Sequence, residues 1–317
     1  MKIGVNILSR GPMATREGTI EVATAAEKLG YGFVSVNDHV VVPGDIASRY
    51  PYSEGGDWGN ASSGQCLEQL TALAFLAGCT QRLELLTSVM VVPHRQAILA
   101  AKMIATADVL SNGRVILGCG AGWMKEEIEA LGAPFAERGK LTDEYIEAFR
   151  ELWTKPRPTY EGTHISFENL LFEPKPIRKP HPPIWIGGES KAAIERAVRL
   201  GDGWYPGSSN PANRLDTADR VAGAMADFKV TAKARGRDPQ TINLAHVVLW
   251  PVSFEAKAAI SGGRRTMTGS TAELIADART LAATGISHVN LSFHAATVSG
   301  ITERMTRFAG EVMAKLG

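Results

Sequence analysis

The chain has 317 residues, with 34 Lys plus Arg against 33 Asp plus Glu and a formal net charge of +1. So even a balance leaves no electrostatic footprint for nucleic acid or an anionic membrane. An apolar fraction of 44% supplies a large core and excludes a disordered or collagen-like chain. The opening MKIGVNIL reads as a strand over residues 2–8, not a signal peptide, because no small-residue cleavage site follows it. A helix over 16–29 follows, with Val22, Ala25, Ala26 and Leu29 at helical spacing and Gly30 as its stop. The second strand is 33–37. Residues 39–61 then form a long loop rich in Gly, Pro, Tyr and Trp, of a length that compact domains keep for function. A helix over 64–78 leads to 83–92, a near-continuous apolar run of the kind a strand buried on both faces requires. A helix over 96–110 and a fourth strand at 114–118 complete the first half.

The second half repeats the alternation. A helix over 141–152 precedes an irregular, Pro-rich insertion at 155–183. Strands at 184–187, 203–206, 242–250 and 288–293 alternate with helices at 190–200, 211–234, 272–283 and 302–316, and a second insertion occupies 251–269. Eight strands, each followed by a helix, predict an α/β fold, a (β/α)8 TIM barrel formed as one domain over residues 1–317. A doubly wound open sheet is the rival, disfavoured because no strand reads as a polar edge. The insertions after strands four and seven are expected over the C-terminal face. There the 155–183 insertion and the 39–61 loop would serve as lids.

Cys66, Cys79 and Cys119 form no C-x-x-C pair and no disulfide framework, which favours a reducing, cytoplasmic setting. In such a setting the sequon Asn60-Ala61-Ser62 carries no meaning. No apolar run reaches the ~18 residues of a membrane span. The histidines show no metal spacing, so no metal is expected, and Gly-x-Ser-x-Gly is absent.

Three places can carry chemistry. Gly118-Cys119-Gly120-Ala121-Gly122 follows a strand, but the dinucleotide fingerprint needs glycine where Trp123 stands. Its plain reading is a strand end that something bulky approaches closely. Gly187-Gly188-Glu189-Ser190 ends a strand and opens a helix, either as an anion seat or as a turn capped by Ser190. Asp38-His39 ends strand two, where an imidazole either moves protons or is held in a turn. Asn6 and His294, at the ends of strands one and eight, share that ambiguity.

Several segments, in this order and spacing, resemble the bacterial luciferase-like superfamily. They are residues 87–95 (TSVMVVPHR), 101–102 (AK), 105–114 (ATADVLSNGR), 117–123 (LGCGAGW), 182–188 (PPIWIGG) and 201–204 (GDGW). Residues 38–43 (DHVVVP), 50–53 (YPYS) and 135–139 (FAERG) are similar to its branch of probable F420-dependent oxidoreductases. The resemblance thins beyond residue 210. It implies a flavin-type ring, reduced FMN or F420, at the C-terminal mouth, backed by a non-proline cis peptide at Ser88-Val89. It implies cofactor contacts at Asp38, Ser88, Val89, Gly120 and Trp123, with the anionic tail at Gly187, Gly188 and Ser190. His39 becomes the proton-transfer residue, and Asn6, Trp204 and His294 face the substrate, with packing in the core of the barrel rim as the alternative for Trp123 and Trp204. In the superfamily's sugar-phosphate dehydrogenases a carboxylate follows the fourth-strand glycines. Trp123 stands there, which argues against sugar-phosphate oxidation.

The activity so implied is oxidation or reduction of a small organic substrate. With F420 the ring exchanges hydride. With FMN a separate flavin reductase supplies a two-component monooxygenase. A homodimer is usual for the family. A non-catalytic flavin or F420 carrier on the same barrel is the rival of another class, and a cofactor-free barrel hydrolase or aldolase a third.

Overall fold

A computed structural model describes residues 1–59 and 63–316, so the sequon Asn60-Ala61-Ser62 lies outside the described residues. In chain order the elements are β1 (Lys2–Ile7), α1 (Arg16–Lys28), β2 (Phe33–Val36), α2 (Gln69–Cys79), β3 (Glu84–Thr87), α3 (Ala97–Leu110) and β4 (Val115–Gly120). Then follow α4 (Lys125–Ala130), α5 (Arg138–Thr154), β5 (Ile184–Gly187), α6 (Lys191–Leu200), β6 (Gly203–Tyr205), α7 (Ala218–Ala234), β7 (Asn243–Pro251), α8 (Thr271–Ala283), β8 (Ile286–Ser292) and α9 (Val298–Glu311). Met90–Val91 continues β3 along β4.

Every barrel strand runs parallel to its neighbours. β1 sits between β2 and β8, and the order continues through β7, β6 and β5 to β4. Pairing of Leu85 with Val115 and Leu86 with Ile116 joins β3 to β4 and closes the ring. Closure decides for the barrel against the open sheet.

The apolar runs are double-faced because each strand feeds two cores. Leu85, Leu117 and Ile186 point outward into a core shared with helix residues such as Ile104, Leu152 and Phe308. Their neighbours Leu86, Ile116 and Trp185 point inward with Phe33, Tyr205, Ala245 and Val247. Large and small residues alternate inside. A Cβ on Gly4 would lie 2.3 Å from the Phe33 ring, and one on Gly203 would lie 2.4 Å from the Trp185 indole. At Gly118 a Cβ would meet the Thr87 carbonyl oxygen at 2.2 Å, where backbone has to move. Gly118→Ala is therefore expected to cost about 1–3 kcal/mol of stability. A lowered urea midpoint with an unchanged slope would show it; an unmoved midpoint would show that β3 and β4 part there freely.

The insertion at 155–183 corrects one expectation. It joins the end of α5 to the start of β5, and a helix-to-strand connection returns to the N-terminal end of a barrel. Lys175 Nζ donates to the Leu152 and Lys155 carbonyls at 2.8 and 2.6 Å, and the Arg178 amide to Asp108 at the end of α3 at 3.0 Å. The segment thus seals the floor and cannot close over the mouth. The insertion after β7 does lie at the mouth, as does the described part of the 39–61 loop.

Candidate functional site

The C-terminal strand ends carry a connected set of charged groups. Asp38, just beyond β2, is buried. Its two oxygens accept from both terminal nitrogens of Arg95 at 2.8 Å, and one also accepts from the Val91 amide at 2.8 Å. Arg95 also donates through Nε to Glu68, the N-cap of α2, at 2.9 Å. Burial alone would weaken the Arg95 charge, but Asp38 and Glu68 outweigh it and hold its pKa above the usual arginine value. Both Asp38 oxygens are therefore taken up inside the protein. The expected direct cofactor contact becomes a brace that ties the end of β2 to the β3 extension.

His39 is placed by a residue that the sequence did not point out. Its Nδ1 lies 2.7 Å from Oε2 of Glu127, a fully buried carboxylate on α4. The other oxygen of Glu127 accepts from the amides of Val40 and Val41 at 2.7 and 3.2 Å. Burial would push this carboxyl up, but the His39 hydrogen bond, the nearby His94 and the Val40 amide hold it below the usual range. An ionised Glu127 accepts, so Nδ1 of His39 carries the hydrogen and Nε2 is left for chemistry. Buried His94 bridges the two carboxylates, with Nδ1 3.7 Å from Asp38 and Nε2 3.8 Å from Glu127. Burial pushes His94 down, against the pull of both carboxylates. Glu127 stands just beyond Trp123, in the first turn of α4.

The Ser88–Val89 peptide is cis and not prolyl, as the resemblance implies. Val89 wedges between two glycines. A Cβ on Gly187 would come 2.8 Å from one of its methyls, and a Cβ on Gly120 3.1 Å from the other. Gly120, Gly122, Gly187 and Gly188 are partly exposed. The glycines thus make room for the Val89 side chain, and the backbone of this strand-end floor stays partly open at the mouth. Below it the Ser88 hydroxyl turns inward to the Tyr205 hydroxyl at 3.0 Å. Asn290 donates to Tyr205 and Ser35 at 2.9 and 2.7 Å, and Ser35 to Asn6 at 3.2 Å.

Beyond β5, Gly188 takes a positive φ of 104° that favours glycine, and Ser190 caps α6 by accepting from the Ala193 amide at 3.2 Å. Glu189 turns into the protein, where it accepts from the Gly207 amide and from Asn210. Burial pushes its carboxyl up. Trp204 faces the helical layer rather than the mouth. It stacks on Phe228 at 4.6 Å and 10°, and its indole N–H donates to the Gly188 carbonyl at 2.9 Å. It braces the Gly187–Gly188 turn and leaves the substrate side.

Asn6 and His294 do meet, in a cavity of about 360 Å³ that Arg10, Leu249 and Ser292 also line. The described part of the 39–61 loop lies beside it. Trp58 packs on His39 at 4.4 Å between ring centres, and Tyr50 and Trp58 flank Trp123 at 5.1 and 6.0 Å. Trp123 thus walls the His39 side. Among the described residues no group of three or more His, Cys, Asp or Glu side chains is arranged for a metal, and no helix is long and apolar enough to cross a membrane.

Several known proteins are similar to this chain. An FMNH2-dependent dimethylsulfone monooxygenase of Pseudomonas putida is 30% identical over 197 residues, 61% of this chain and 52% of that protein. The chain thus spans about half the length of that relative. An uncharacterised protein of Mycobacterium tuberculosis is 34% identical over 202 residues, 64% of this chain and 68% of that one. Two solved structures share the fold. A monooxygenase from Streptomyces bottropensis has a TM-score of 0.74 at 20% identity, covering 100% of both chains. An F420-dependent secondary alcohol dehydrogenase bound to an F420–acetone adduct has 0.72 at 17% identity, covering 99% of this chain and 98% of that one. The model of luciferase-like monooxygenases matches residues 1–290, from β1 into β8 and across every site residue up to the β7 insertion. The chain belongs to the luciferase-like monooxygenase family.

Proposed function

We propose that the protein is an oxidoreductase that holds F420 or reduced FMN at the barrel mouth and acts on a small organic molecule. The observation that carries this reading is the buried His39–Glu127 pair at the same end of the barrel as the floor that Val89 forms with Gly120 and Gly187. When bound, such a cofactor supplies hydride transfer or, as reduced FMN with oxygen, oxygenation. The chain's own residues do the rest. Val89 and the two glycines seat the ring, and Gly188 with the first turn of α6 receives the anionic tail, the end of a helix that favours negative charge. Glu127 fixes the orientation and tautomer of His39, whose Nε2 gives or takes the proton that accompanies the redox step. Tyr50, Trp58 and Trp123 exclude water from that nitrogen. The cavity at Asn6 and His294 receives the substrate, with the described part of the 39–61 loop as its lid.

Anaerobic spectral titration with F420, FMN and reduced FMN tests the reading. Saturable binding of F420 or of reduced FMN is expected, weakened by Gly187→Val, which puts a branched side chain onto Val89. Reduced FMN binding without F420 binding selects the two-component monooxygenase and its reductase partner. No saturable binding by any of the three would end the assignment.

A further inference from the structure

A second cavity, of about 290 Å³, opens at the mouth beyond β6 and β7. Residues 206–217, the β7 insertion and Tyr52–Glu54 of the lid loop enclose it. Nearly every charge around it is matched. Arg214 forks onto Glu54. Asp216 accepts from the Ser261 amide and hydroxyl and lies 3.9 Å from Arg220.

Arg265 is the exception. Its guanidinium lies over the Trp250 ring, 5.0 Å from the centre. Its Nε is buried with no hydrogen-bond partner, and no carboxylate among the described residues pairs with it. A half-buried guanidinium with no counter-charge is a costly arrangement, and an anion relieves it. The Trp250 face fixes the plane of the guanidinium, so its edge is set for a two-oxygen acid group. Ser208, fully buried in the same wall, accepts from the Leu249 amide at 3.0 Å and holds that wall in place. Only one positive charge is uncompensated, and Glu54 and Asp216 stand in the wall. A monoanion therefore fits better than a doubly charged phosphate. Leu249 lines this cavity and also the one at Asn6 and His294.

We propose that Arg265 binds the carboxylate or sulfonate of a small organic acid whose apolar part runs past Leu249 toward the barrel mouth. The assignment of this acid as the substrate rests on the function proposed above; its binding does not. The test is calorimetric titration of the cofactor-free full chain with hexanoate, hexanesulfonate and hexanol, repeated on Arg265→Gln and Arg265→Lys. At least one acid is expected to bind about tenfold or more tighter than hexanol. Arg265→Gln should abolish that preference and Arg265→Lys keep part of it. Which acid binds tighter assigns carboxylate or sulfonate. Both variants should fold, because loss of an uncompensated charge does not destabilise, and circular dichroism checks this. Equal binding of hexanol and the acids, or unchanged acid binding by Arg265→Gln, would overturn the proposal. So would a matching loss of F420 or reduced FMN affinity in Arg265→Gln, since the cavity would then hold the cofactor's own tail. Acid binding alongside a failed cofactor titration would sink the oxidoreductase reading and keep the acid site.

Discussion

Turnover is expected to fall by roughly 10²–10⁴-fold when His39 is replaced by Ala, the range for loss of a placed general acid or base. Cofactor affinity should stay within about threefold of the parent, because the floor at Val89, Gly120 and Gly187 does not use His39. Glu127→Gln is the sharper probe. The amide keeps the size of the carboxyl, yet its NH2 can donate to Nδ1 of His39. That pushes the hydrogen onto Nε2, the nitrogen needed for proton transfer. An amide also cannot serve the Val40 and Val41 amides and stabilise a charged imidazole together. A fall in kcat of about tenfold to 10²-fold is expected, with KM little changed and partial rescue by Glu127→Asp. A merely structural Glu127 would instead lower the unfolding midpoint and leave kcat per folded molecule intact. Full activity in His39→Ala would remove proton transfer from the mouth altogether.

What could be read in advance follows the range of the forces involved. The barrel was legible because both faces of its strands are apolar, so runs such as 83–92 stand out without any partner. The cis Ser88–Val89 step was legible only through the family resemblance of the segment that carries it. Glu127 was not. It lies on a helix of six residues with no side-chain cap, too short for a periodic signal. Its partner His39 is 88 positions away, a distance that no spacing rule spans. Trp204 was misassigned for a related reason. A three-residue strand shows no alternation, and only the inward Tyr205 fixes the neighbour as outward. The 155–183 insertion was visible as a length, but its side of the barrel depends on which element it leaves. A segment that follows a helix returns to the bottom.

Asp38→Ala is expected to lower folding stability by about 3–5 kcal/mol, the cost of stranding one member of a buried ion pair. The Asp38 side chain is 0% exposed and that of Arg95 only 8%, so water cannot replace the lost carboxylate. The change leaves Arg95 with Glu68 alone, removes the acceptor of the Val91 amide, and deprives His94 of one of its two facing carboxylates. Asp38→Asn should cost less, because one oxygen still accepts from Val91 or Arg95. Urea unfolding of the two variants measures the difference, with Asp38→Ala shifted further. Cofactor affinity should fall in the same order, since Val91 follows directly on the segment that carries Val89. The opposite pattern discriminates against this account. If Asp38→Ala unfolded at the parent's urea concentration yet no longer bound F420 or reduced FMN, Asp38 would touch the cofactor itself, and the Arg95 pair would be incidental. The geometry favours the brace: a carboxylate that already accepts three hydrogen bonds, at 2.8 Å each, has little capacity left for a ligand.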